Sequence, residues 1–216
     1  YNGPKNLLNG LLHSDNIYFA QTALRIGTSR FTENLDKIGF NQEIEFPLSL
    51  AKSQYANEEG INSEGKLADT GFGQGNLLVN PIHMASIYSS FYNNGNMIKP
   101  YIEYEENKEP EFLVENAFSE ESANTIKEDL IQVVENPEGS ANDMKVNGIT
   151  IAGKTGTAEL KTDKNDNESG TLGWFDCFTV GNGNSDMLVI GMVENIQDNA
   201  DGGSHYLIKM IRTLFE

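Results

Sequence analysis

The chain has 216 residues, 38% of them hydrophobic, and carries 15 lysines and arginines against 32 aspartates and glutamates, a net charge of −17. That length suffices for one good-sized domain or a large piece of one, and no apolar run reaches the ~18 residues a membrane-spanning helix needs. The acidic balance argues against nucleic acid, whose phosphates call for a basic patch, and against docking on anionic lipid.

The one cysteine, Cys177, excludes an intrachain disulfide and a cysteine-based metal cluster. His13, His83 and His205 have no metal-ligand spacing, so no metal is expected. The sequence opens at Tyr1-Asn2-Gly3-Pro4, without an initiator Met or a signal peptide, which reads as a start inside a larger protein.

Residues 14–27 place Ile17, Ala20 and Leu24 at helical spacing and end at Gly27. Ser29 is suited to cap a second helix carrying Phe31, Leu35 and Ile38, closed by Gly39. Residues 41–70 are mixed and polar, which predicts an irregular excursion. Asn80-Pro81 is a good helix start, and that helix should run to about Tyr92.

Residues 97–118 read as short strands around a charged turn near Glu105-Glu106-Asn107-Lys108. Ser119 should begin a helix with Ile126, Leu130 and Val133 inward, stopped near Asn136-Pro137. Gly148–Gly153 is β-branched and strand-like, 161–170 a polar hairpin tip, and Trp174, Asp176 and Phe178 alternate as in an antiparallel strand. Met187–Val193 is an apolar strand, and Ser204 should cap a last helix facing Leu207, Ile211 and Leu214 inward. The pattern is α+β: a mostly helical region with inserted loops over 1–147, and a sheet-and-helix region over 148–216.

Three short elements carry chemistry, and their order matters. They are Ser14-Asp15-Asn16, then Gly73-Gln74-Gly75, then Lys154-Thr155-Gly156-Thr157-Ala158-Glu159 at the end of a strand. Singly each is weak. Ser14-Asp15-Asn16 could be a plain helix cap, and Gly73-Gln74-Gly75 fits neither phosphate-loop pattern and reads as a tight backbone turn. S-D-N followed 140 positions later by K-T-G is a stronger pair, belonging to the signature set of penicillin-binding proteins and serine β-lactamases.

Longer words sharpen this. Ser14–Ala20, the Gly-Gln-Gly followed by Asn80-Pro81, Lys154–Glu159 and Gly173-Trp174-Phe175 resemble class B penicillin-binding proteins of the low-affinity, methicillin-resistance type, over nearly the whole chain. The resemblance implies an incomplete α+β transpeptidase fold of the penicillin-binding/serine β-lactamase kind. It also implies a D,D-transpeptidase parent that cross-links peptidoglycan stem peptides by serine acyl transfer, needs no cofactor and is acylated by β-lactams. The parent would be anchored upstream on the extracytoplasmic face of a bacterial membrane, within the wall-synthesis machinery.

Acyl transfer needs an activated serine, a proton carrier, a carboxylate clamp and an oxyanion hole. Ser14 is suited to relay a proton to the leaving amine, Asn16 to bond a substrate carbonyl, and Lys154 to supply positive charge. Thr155 and Thr157 can donate hydroxyl hydrogen bonds to a terminal carboxylate, and Gly156 leaves room for the substrate along the strand edge. By the resemblance, the Thr157 N–H forms half of the oxyanion hole.

The family's S-x-x-K, carrying the nucleophile, should precede Ser14, yet the thirteen residues before it contain no serine. Two downstream matches, Ser49–Lys52 and Ser63–Lys66, lie in the irregular stretch and are set aside. A fragment without the nucleophile should be inactive. Trp174 and Phe175 read as packing residues, Cys177 as a small half-buried residue, and His13 and His205 as structural. Asn167-Glu168-Ser169 matches a glycosylation sequon without significance in a bacterial protein. The motifs do not separate a transpeptidase from a D,D-carboxypeptidase or serine β-lactamase, nor from a β-lactam sensor or a catalytically silent module.

Overall fold

The computed structural model describes residues 2–106, 108–160, 170–181, 186–196 and 203–216. The hairpin tip expected at 161–170 and the Asn167 sequon fall almost wholly outside the described residues. The chain forms two compact units, Asn16–Ile126 and the pair of segments Tyr1–Asp15 and Lys127–Glu216.

In the first of these units, helix α2 covers Asn16–Ile26 and α3 covers Thr28–Lys37. Ala23 is the residue α2 buries, whereas Ile17 and Leu24 remain exposed. Helix α4, Glu64–Gly71, corrects the expectation of an irregular stretch over 41–70. Its periodic signal is short and polar, but Ser63 caps it by accepting the Lys66 N–H, and Leu67 and Thr70 are buried. The stretch after it turns at Gly73 and Gly75, both at positive φ, with Gln74 N–H donating to Asp69 O at 2.9 Å. Gly73-Gln74-Gly75 is thus a tight backbone turn.

Helix α5, Pro81–Tyr92, starts as expected, with Asn80 Oδ1 accepting the Ile82 N–H and proline in the first turn. Its His83 is fully buried between Ser53 Oγ and the Ile38 carbonyl, both 2.8 Å away, and burial holds its pKa below the ordinary value. Strands β1, Met97–Ile98, and β2, Phe112–Val114, pair antiparallel over a core of Ile38, Phe40, Met97 and Ala117.

Gly95 makes the turn between α5 and β1 at φ +89, and a Cβ there would stand 2.1 Å from the Phe118 carbonyl oxygen. Backbone is not able to yield as a side-chain tip can, so Gly95→Ala is expected to cost at least ~3 kcal/mol. Urea unfolding checks this; a loss under about 1 kcal/mol would refute it.

Helix α6, Glu120–Glu135, leads from Asn16–Ile126 into the other unit. There a 3-10 turn, Asn142–Met144, precedes β3, Thr150–Glu159. Strand β4, Thr171–Val180, and β5, Leu188–Val193, complete an antiparallel sheet in the order β3-β4-β5. The β3–β4 register is unbroken from Thr150↔Val180 to Glu159↔Thr171. The last helix, α7, His205–Arg212, packs Leu207, Ile208 and Ile211 into a core with Ile151, Phe175, Cys177, Val133, Val134 and Met144.

Two details at α7 depart from the sequence reading. Ser204 occupies the cap position with helical backbone and makes no side-chain cap bond, and Leu214 lies beyond the helix and is exposed. Helix α1, Leu7–Leu12, was not anticipated; it belongs to the same unit as the sheet.

Candidate active site

Ser14 owes its position to the end of α1. Asn6 Oδ1 caps the helix start through the Asn9 N–H at 3.0 Å. At the other end His13 is the cap, the Ser14 N–H donates to Leu11 O, and the Asp15 N–H donates back to Gly10 O at 2.9 Å. This pair of bonds is a Schellman motif, and it puts Ser14 in the left-handed position, at φ +52, where glycine ordinarily stands. Asp15 pairs with Lys5 at 3.5 Å. The chain then enters α2 at Asn16, which is exposed.

Lys154 comes from the middle of β3. Its Nζ donates to Ser14 Oγ in a short hydrogen bond and to the Thr155 carbonyl at 2.9 Å, with Thr155 Oγ1 at 3.5 Å. The structure therefore joins S-D-N to K-T-G through their first residues, across 140 positions of sequence. Among the described residues no carboxylate pairs with Lys154. Burial without a counter-charge lowers its amine from the ordinary lysine value to about 8. An amine at that value exchanges protons near neutral pH, which suits a proton-handling site.

The rest of the K-T-G element follows the strand. Thr155 Oγ1 donates to Ser140 Oγ at 3.2 Å. Gly156 lies against Trp174, whose Cβ would be 3.2 Å from any Cβ placed at 156. Thr157 is exposed. Strand β3 pairs with β4 on one side, and among the described residues no strand occupies its other edge, where an extended peptide could be added.

Asp176 and Ser140 were not singled out from the sequence as site residues. Asp176 is the cross-strand partner of Lys154 and shares its sheet face, since directly opposed residues point the same way. It is 4% exposed, Oδ1 has no hydrogen-bond partner, and no ion pair joins it to Lys154 among the described residues. Burial pushes its carboxyl up to about 7, and a hydrogen bond from the Gly191 backbone only partly opposes that rise. Cys177 is completely buried rather than half-buried. Burial first, and the neighbouring Asp176 second, push its thiol up to about 12, which makes it unreactive.

The remaining candidates have structural duties. His13 caps α1, and His205 opens α7 with Nδ1 3.0 Å from Asp143 Oδ2. Phe175 is a core residue. Of the two S-x-x-K look-alikes, Ser63 is the cap of α4, and its Lys66 pairs with Glu59 at 2.7 Å. Lys52 pairs with Glu43 at 3.3 Å.

Residues 1–210 match the family described as penicillin binding protein transpeptidase domain, and the chain belongs to it. It is 40% identical over 211 residues to Penicillin-binding protein 3 of Bacillus subtilis, a match covering 98% of this chain and 31% of that protein. It is 32% identical to a probable peptidoglycan D,D-transpeptidase, PbpC, of Pseudomonas aeruginosa, over 68% of this chain and 25% of the relative. The chain thus spans about a third or less of the curated relatives it matches.

Among solved structures it superposes on penicillin-binding protein A from M. tuberculosis, in a ceftriaxone acyl-enzyme complex, with a TM-score of 0.81 at 22% identity, covering 97% of this chain and 47% of that one. The D,D-transpeptidase domain of a peptidoglycan glycosyltransferase from Eggerthella lenta gives 0.76 at 24%, covering 97% and 53%. The fold is the α+β transpeptidase fold, with an antiparallel sheet and a C-terminal helix packed on it.

Proposed function

We propose that this chain is the C-terminal part of the transpeptidase domain of a D,D-transpeptidase that cross-links peptidoglycan stem peptides and is acylated by β-lactams. The observation that carries the reading is the Lys154 amine held on the Ser14 hydroxyl. Two motif residues distant in sequence meet there in a proton-handling pair, and both motifs belong to this family's signature.

In this reading the nucleophile and its lysine lie on a segment preceding Tyr1. Ser14 passes a proton to the departing amine, and Lys154 holds Ser14 and attracts the anionic substrate. Asn16 binds a substrate carbonyl. Thr155 and Thr157 bind the terminal carboxylate, and the Thr157 N–H supplies half of the oxyanion hole. The peptide lies along the outer edge of β3, where Gly156 gives it room. The likeness to the low-affinity, methicillin-resistance type extends the proposal to a parent anchored on the extracytoplasmic face of the membrane. Slow deacylation would distinguish it from a β-lactamase.

The test is benzylpenicillin labelling of the full-length protein, read by intact mass and peptide mapping. One adduct is expected, on a serine N-terminal to Tyr1 in an S-x-x-K context, with none on the 216-residue chain alone. A label on Ser49 or Ser63 would overturn the assignment of the nucleophile. No label at saturating drug would favour a catalytically silent module.

A further inference from the structure

Ser140 is engaged at both ends, by the end of α1 that leads into Ser14 and by Thr155 of the K-T-G element. Its backbone N–H donates to the Leu12 carbonyl at 3.1 Å, one of the acceptors that the end of α1 leaves without an intrahelical donor. Its hydroxyl receives the Thr155 hydroxyl at 3.2 Å. Thr155 Oγ1 stands beside Lys154 Nζ, Lys154 holds Ser14, and Ser14 follows Leu12 by two residues, so the contacts close into a ring.

The support of Ser140 has little slack. Asn136 Oδ1 accepts the Glu138 N–H and the Asn136 carbonyl accepts the Gly139 N–H, both at 2.9 Å. A Cβ on Gly139 would stand 2.1 Å from the Val133 carbonyl oxygen. Beyond it, Asn142 Nδ2 donates to the Val134 carbonyl at 2.9 Å, and Met144 is fully buried. The serine hydroxyl is therefore presented from a fixed turn.

We propose that Ser140 is a positioning residue that sets the rotamer and the hydrogen-bond direction of Thr155 for binding the substrate carboxylate. The inference rests on the transpeptidase reading, in which Thr155 faces that carboxylate. A hydroxyl has one hydrogen to give, and Thr155 gives it to Ser140 in the free site. When an anion arrives, the Thr155 hydrogen turns to it, and Ser140 returns its own hydrogen to Thr155 Oγ1. A hydroxyl that accepts one bond while donating another is the stronger donor.

The test compares benzylpenicillin with its methyl ester, which lacks the anion, on the full-length protein. Ser140→Ala is expected to slow acylation by the acid about tenfold, through weaker binding and not a slower step at saturation, with the ester unaffected. Ser140→Thr should restore the acid. Ser140→Val, threonine's shape without its hydroxyl, carries the comparison if the alanine variant unfolds. Equal losses for acid and ester, full activity without a hydroxyl at 140, or failure of Ser140→Thr to rescue would each overturn the proposal. Absence of any adduct on the unsubstituted protein would instead remove the transpeptidase reading, and this inference with it.

Discussion

Asp176→Asn is expected to stabilise the protein by up to ~4 kcal/mol at pH 8 and to leave it unchanged near pH 4. The carboxyl is buried in the central strand with one oxygen unpaired, and its pKa in the folded state stands at about 7, above the 3.8 of a free aspartate. The folded state therefore holds the proton more tightly than the unfolded chain does. The sheet is at its most stable, as regards this group, below pH 3.8, and it loses stability as pH rises from there to about 7. Asparagine keeps an acceptor for the Gly191 backbone and cannot ionise, so it removes only the cost of the charge. Urea unfolding of both forms at pH 4, 6 and 8 measures the difference; a gain that does not grow with pH would refute the account.

Lys154→Ala is expected to slow acylation by an anionic β-lactam about 10²–10³-fold. It removes the group that holds Ser14 and, on the proposed function, the positive charge that attracts the drug. The unsubstituted protein should acylate at a constant rate below pH about 8 and more slowly above it, as the amine loses its proton, and the variant should lack that descending limb. Lys154→Arg is not expected to rescue, because the planar fork of a guanidinium does not fit the space of an ammonium. A variant within threefold of the parent would sink the role given to Lys154.

Much of the sheet region was legible because strong local signals agreed with the tertiary outcome. Lys154-Thr155-Gly156 lies on a strand and the β-branched and apolar runs form β3 and β5; in the other unit, Asn80-Pro81 opens α5 for the same reason. What escaped had no local pattern. Helix α1 has six residues, too few to display a period, yet its C-terminal cap is what orients Ser14. Helix α4 is polar and contains two glycines, and burial of Leu67 and Thr70 outweighs its weak propensity. Asp176 was read as one member of an alternating strand, but β4 is central and covered on both faces, so the polar position is buried as well. Ser140 acts through contacts to residues far away in sequence, which no spacing rule discloses.

The left-handed backbone of Ser14 sets two demands against each other. A non-glycine residue in that conformation costs about 1–2 kcal/mol, which glycine would recover. Glycine would also delete the hydroxyl that Lys154 holds. A screen that rewards heat resistance alone should therefore draw this position toward glycine and yield a sturdier, silent protein. One that rewards turnover should keep the serine and collect its stability elsewhere, as expected where activity and robustness compete for a single residue.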